Sequence, residues 1–105
     1  MEATMDGEIS PEQALQLVRK IPGWELLGDK KSIGRRYQFP DFNQALNFVN
    51  IIGAIAEEQN HHPDISVGWG YVECKVYTHV INGLHSKDFT LAESIEQAYA
   101  QLDDD

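Results

Sequence analysis

The chain has 105 residues, 42% of them hydrophobic, with 17 acidic against 8 basic side chains and a formal net charge of −9. That length suits one domain with one core, and the acidic balance disfavours direct contact with nucleic-acid backbones or anionic lipid. No apolar stretch approaches the roughly 20 residues of a membrane span, and the lone cysteine, Cys74, excludes an internal disulfide and fits a reducing, cytoplasmic-type compartment.

The opening "MEATMDGEIS" is acidic and lacks the basic-then-apolar order of a secretory signal or transit peptide. Residues 1–8 and the terminal 103–105 ("DDD") are expected to be flexible and solvated. Ser10-Pro11-Glu12-Gln13 then opens a helix. Serine caps, proline takes the first helical position and Gln13 reaches back as in a capping box. Ala14, Leu15, Leu17 and Val18 supply its apolar side, and Pro22-Gly23 ends it. "WELLGDKKSIGRRYQF" reads as a hairpin, Trp24 to Leu27 and Ile33 to Phe39, turning through Gly28-Asp29.

Asp41 with Gln44 forms a second capping pair, opening a long helix from Phe42 to about Gln59. After "EEQNHHPD" come "DISVGW" and "YVECKVYTHV", which alternate as strands. Ile65, Val67 and Trp69 share one side of the first, and Val72, Cys74 and Val76 one side of the second, with Gly70 as the tight turn between them. Trp69 is assigned to the core. "SKDF" reads as loop, and Thr90 with Glu93 caps a last helix through Leu102, with Leu91, Ile95, Ala98 and Leu102 on one stripe.

The order α-β-β-α-β-β-α predicts an α+β domain spanning 1–105, a four-stranded antiparallel sheet with three helices on one face. No GxGxxG or Walker loop offers a seat for a phosphate-bearing cofactor.

The middle helix carries more apolar surface than one sheet can cover. At about 100° per residue, Phe42, Ala45, Leu46, Val49, Ile52 and Ala56 form the stripe expected to face the sheet. Phe48, Ile51 and Ile55 form a flank beyond it. That flank predicts a homo-oligomer through helix 42–59, unless the first or last helix covers it.

Glu57, His61, His62, His79 and Asp88 are the candidate site. Each alone reads as a solvated surface residue, but together they sit on a helix end, the loop leaving it, a strand end and the following loop, all at one rim of the sheet. Metal ligation lacks HExxH or CxxC spacing. Nucleophilic catalysis lacks a nucleophile, because Cys74 alternates with Val72 and Val76 as core. General acid-base chemistry needs only imidazoles, which titrate near about pH 6.5, and a carboxylate to orient them. Strict alternation puts His79 on the face opposite Val72, Cys74 and Val76. This leaves open whether the site lies on the bare side or rim of the sheet, or whether the strand twists before His79.

The spacing Glu57-x3-His61-His62-Pro63-x5-Trp69-x9-His79-x8-Asp88 resembles the signature of the pterin-4a-carbinolamine dehydratases, with no departure at any of its positions. The likeness runs from the first helix to Leu102. It implies dehydration of 4a-hydroxytetrahydropterin to quinonoid dihydropterin in tetrahydrobiopterin recycling, by a hydro-lyase needing neither metal nor organic cofactor. By position it implies a site of His61, His62 and His79. His61 and His79 are expected to transfer protons and His62 to hold the pterin. Glu57 orients a histidine, Pro63 lies beside the substrate, and Asp88 fixes the loop near His79. The resemblance also implies dimers or tetramers, the middle helix packing on its copies in the tetramers. As the alternative, some animal members bind a homeodomain transcription factor and stabilise its dimer. That would make the chain an interaction module and admit a nuclear location.

Overall fold

The computed structural model describes residues 7–103, so the expectation of flexibility at 1–6 and 104–105 falls outside the described residues. The helices are α1 (Pro11–Val18), α2 (Phe42–Gln59) and α3 (Ser86–Asp103), and the strands are β1 (Glu25–Leu26), β2 (Ile33–Gln38), β3 (Asp64–Gly68) and β4 (Tyr71–Val76). A 3₁₀ turn, His79–Ile81, stands between β4 and α3. The sheet is antiparallel in the order β1-β2-β4-β3. The order α-β-β-α-β-β-α is the one read from the sequence.

Capping chemistry sets α1 and α2. The Ser10 hydroxyl accepts the Gln13 N–H at 3.2 Å while the Ser10 N–H donates to Gln13 Oε1 at 3.2 Å, so two otherwise orphaned donors are satisfied. The Asp41 carboxylate accepts the Gln44 N–H at 2.9 Å. At the other end of α2, Asn60 takes the left-handed conformation (φ 54°) and its N–H returns to Ala56 and Glu57 carbonyls.

The first hairpin is shorter than its sequence suggests. β1 holds only Glu25 and Leu26, and a loop closed by the Leu27 N–H to the Ser32 carbonyl (2.9 Å) replaces the expected tight turn. Asp29 organises that loop by accepting from the Lys31 N–H and the Ser32 hydroxyl, both at 2.9 Å.

The second hairpin corrects two expectations. Pairing of β3 with β4 ends at Gly68↔Tyr71, leaving Trp69 and Gly70 as the turn. Trp69 is therefore 74% exposed and not core. At the opposite end, β4 has partners only as far as Ile33↔Val76 on β2 and Asp64↔Lys75 on β3. With no ladder beyond Val76, the strand stops and His79 falls in the 3₁₀ turn. The question of which strand face His79 occupies does not arise.

The helix-covered face of the sheet carries Ile33, Tyr37, Val72, Cys74 and Val76, all buried. α1 contributes Ala14 and Val18 to the same core, with Leu15 left 43% exposed. On α2 the buried line is Ala45, Phe48, Ile52 and Ala56, whereas Phe42 and Leu46 are 44% and 39% exposed. The helix is thus rotated from the expected stripe: of the flank expected to stay open, Phe48 is buried and Ile51 and Ile55 pack against the core. The cause is aromatic packing: Phe48 meets Tyr37 at 5.1 Å, Phe39 at 5.4 Å and Tyr99 of α3 at 5.7 Å between ring centroids.

One charged pair lies on this inner face. Arg35 Nε donates to Glu96 Oε1 at 3.2 Å, and the same oxygen accepts from the Tyr37 hydroxyl (2.7 Å) and Trp24 Nε1 (3.1 Å). Burial, reinforced by the bond to Glu96, raises the Tyr37 pKa, so the phenol remains a donor. A Cβ on Gly23, whose φ is +83°, would lie 2.3 Å from the Arg35 guanidinium carbon, so glycine is what admits the arginine here.

α3 begins earlier than expected. "SKDF" is its first turn, and Thr90 lies inside the helix with its hydroxyl bonded to the Ser86 carbonyl (3.2 Å), so it is not a cap. Asp88 consequently stands on a helix, not in a loop.

Candidate active site

His61 follows directly from the left-handed end of α2, its N–H bonded to the Ala56 carbonyl at 3.1 Å. This turns the ring toward the start of α3. There His61 Nε2 and Asp88 Oδ1 are 2.5 Å apart, with the imidazole 13% and the carboxylate 0% exposed. The other Asp88 oxygen accepts from the Thr78 hydroxyl and the His85 backbone N–H, each at 2.9 Å. One buried carboxylate therefore ties together the loop after α2, the segment after β4 and the first turn of α3. All its bonds are to donors, as burial requires. A neutral imidazole that donates Nε2–H to this carboxylate carries on Nδ1 the lone pair needed to accept a proton.

His62 takes a different partner. Its Nε2 lies 2.6 Å from Glu57 Oε2, and the two side chains are 55% and 77% exposed. A pair this wet contributes little to stability, which leaves the histidine available to a ligand. Pro63 follows, half-buried, and leads into β3.

His79 stands exposed in the 3₁₀ turn, its ring edge-on to Tyr77 with centroids 4.3 Å apart. The turn is closed by reciprocal backbone bonds between Thr78 and Gly83 (2.9 and 3.4 Å) and by the left-handed Asn82 (φ 48°). Its connection to His61 runs through Thr78 and Asp88. The five expected residues thus form two bonded pairs, His61–Asp88 and His62–Glu57, with His79 adjoining the first.

A cavity of about 320 Å³ opens beside His61, lined also by Gln59, Ser86, Lys87 and Thr90. Larger hollows, of about 360, 390 and 350 Å³, lie on the outer sheet face, at the Phe39–Tyr99 end and between α1 and the loop after β1, and contain none of the histidines. Among the described residues no three His, Cys, Asp or Glu side chains converge as metal ligands. Cys74 is buried, and burial pushes its thiol up to about 12, so it stays protonated.

Thr78 and His85 are site neighbours that residue patterns did not single out. The usable signal was His85-x-x-Asp88, a capping spacing one turn before the Thr90–Glu93 pair chosen as the helix start.

Histidines hung on the rim of a helix-backed antiparallel sheet, one of them clamped by a buried aspartate, define a site suited to proton transfer without a covalent nucleophile. The model of the pterin 4 alpha carbinolamine dehydratase family matches residues 7–98. A Rubrobacter xylanophilus protein named "Putative pterin-4-alpha-carbinolamine dehydratase" is 46% identical over 86 residues, 82% of this chain and 79% of that one. One of the same name from Halorhodospira halophila is 43% identical over 93 residues, covering 86% and 85%. The chain belongs to the pterin-4-alpha-carbinolamine dehydratase family.

Among solved structures, a transcriptional coactivator/pterin dehydratase from Brucella melitensis superposes with a TM-score of 0.81 at 24% identity, over 87% of this chain and 97% of that one. A pterin dehydratase-like protein identified as a RuBisCO assembly factor in the alpha-carboxysome gives 0.61 at 21% identity, over 71% and 87%. These two show a shared fold.

Proposed function

We propose that the chain is a hydro-lyase that dehydrates 4a-hydroxytetrahydropterin to quinonoid dihydropterin, returning the pterin to tetrahydrobiopterin recycling. Family membership supports the substrate class, and the clamping of His61 by a fully buried Asp88 carries the chemical reading. In the reaction the C4a–O bond breaks as an acid protonates the departing hydroxyl, which leaves as water. A base removes the proton on N5, and the N5 electron pair closes the C4a=N5 double bond. No net proton is consumed, so two imidazoles exchanging roles are sufficient. His61 and His79 are assigned to these transfers. His62, with Glu57 and Pro63, is assigned to holding the pterin.

The test is direct. Purified protein added to freshly formed 4a-hydroxytetrahydropterin should accelerate the appearance of quinonoid dihydropterin, and exhaustive chelation should leave that rate unchanged. No acceleration over the spontaneous reaction would overturn the enzyme assignment. Loss with chelator and recovery with zinc would overturn the metal-free mechanism.

The chain is further proposed to be a homo-oligomer through α2, in a reducing, cytoplasmic-type compartment. Phe42 and Leu46 are exposed and Val49 is half-buried. A Cβ on Gly53 would meet nothing within 4 Å. These four residues fall on one row of the helix, and such contiguous apolar surface usually marks an interface. The Phe42→Glu, Leu46→Glu double variant should lower the assembly state by light scattering while far-ultraviolet circular dichroism stays unchanged. A wild-type mass of one chain at micromolar concentration would refute it.

A further inference from the structure

His85 has no part in the chemistry assigned above, yet it touches the site from behind. It is the residue before α3, and it bonds the first turn in both directions. Its ring Nδ1 accepts the Lys87 N–H at 3.1 Å, and its backbone N–H donates to Asp88 Oδ2 at 2.9 Å. This is a reciprocal cap in which an imidazole takes the place of the usual serine or threonine hydroxyl. The Ser86 hydroxyl lies 3.3 Å from the same ring nitrogen. The chain's N-terminal segment crosses the other ring edge: a Cβ on Gly7 would sit 2.8 Å from His85 Nε2, and the Ile9 N–H bonds the Leu84 carbonyl at 2.7 Å.

Accepting at Nδ1 requires a lone pair there, hence a neutral ring with its proton on Nε2. Protonation turns Nδ1 into a donor facing the Lys87 donor, and sets a cation at the positive end of a helix. Among the described residues, the titratable and charged groups nearby are Asp88, which accepts the His85 backbone N–H, Lys87 beside it on α3, Glu8 on the N-terminal segment, whose carboxylate lies against Gly83, and His61 on the far side of Asp88.

We propose that His85 is a positioning residue: as a neutral N-cap it fixes the first turn of α3 and with it the Asp88 carboxylate that aligns His61 and Thr78, and its protonation loosens that alignment. The effect on catalysis rests on the dehydratase reading, whereas the cap itself does not.

Amide exchange at Lys87, followed by NMR at about pH 5.5 and about pH 8, spans the ordinary titration of an imidazole. Wild-type protection, corrected for the intrinsic rate, should fall about fivefold on acidification, the factor equivalent to the roughly 1 kcal/mol a cap contributes. His85→Ser, which caps without titrating, should keep its protection at both pH values, and His85→Ala should lack it at both. In the dehydration assay, His85→Ser should lose less of its rate on acidification than wild type. Protection that stays constant while the His85 ring titrates would overturn the proposal, as would equal acid losses in wild type and His85→Ser. A chain without dehydratase activity would remove only the catalytic consequence, because the exchange measurement stands by itself.

Discussion

His61→Ala should slow dehydration by at least about tenfold, below the roughly 10²–10⁴-fold range of a general acid or base because water can substitute in part. His79→Ala should do the same, whereas His62→Ala should mainly raise KM, because His62 and Glu57 pair on the solvent side. Asp88 separates alignment from chemistry. Asp88→Ala removes the acceptor of the Thr78 hydroxyl and the His85 N–H in a fully buried position, so it should cost about 3 kcal/mol of stability as well as activity. Asp88→Asn retains an oxygen for those donors and should be spared most of that loss. Its amide N–H can face His61 Nε2 only if the ring shifts its proton to Nδ1, so kcat should still fall at least about tenfold. Denaturant melts and kcat measured on the same preparations check both halves. Near-normal kcat in Asp88→Asn would show that the carboxylate does not set the state of His61.

Where local chemistry was decisive, the fold was legible in the residues. Ser10 with Gln13 and Asp41 with Gln44 place two helix starts through single hydrogen bonds, and the structure forms those bonds. Legibility failed where the deciding partner was remote. The apolar arc of α2 is wide enough to fit several rotations, and the rings of Tyr37, Phe39 and Tyr99 around Phe48 select one. The length of β4 depends on where β2 and β3 stop offering partners, which alternation within 71–80 does not encode. The start of α3 was misplaced because its cap is a histidine, a residue outside the usual capping set. The candidate site residues were visible as types and spacing. Their division into a buried His61–Asp88 pair and an exposed His62–Glu57 pair required the packing of three segments against one carboxylate.

That packing depends on α3 being held to the sheet, and a second, half-buried carboxylate does much of the holding. Glu96 accepts from Arg35, Tyr37 and Trp24, with the Arg35 and Glu96 side chains only 22% and 17% exposed. Removing one partner of such a pair leaves the other desolvated, so Glu96→Ala should destabilise the chain by about 3 kcal/mol, lowering Tm by at least about 10 °C. Tyr37 and Trp24 lose an acceptor at the same time, although Trp24 Nε1 keeps a contact to the Tyr37 oxygen at 3.2 Å. The matched variant is Arg35→Met with Glu96→Met. It fills the same volume without charge and should recover most of the loss, because the gross attraction of a buried pair is largely offset by its desolvation. A double variant as unstable as Glu96→Ala would show instead that the pair is net stabilising. A Glu96→Ala Tm within about 2 °C of wild type would show that water reaches Arg35 and that the inner-face charge is solvated.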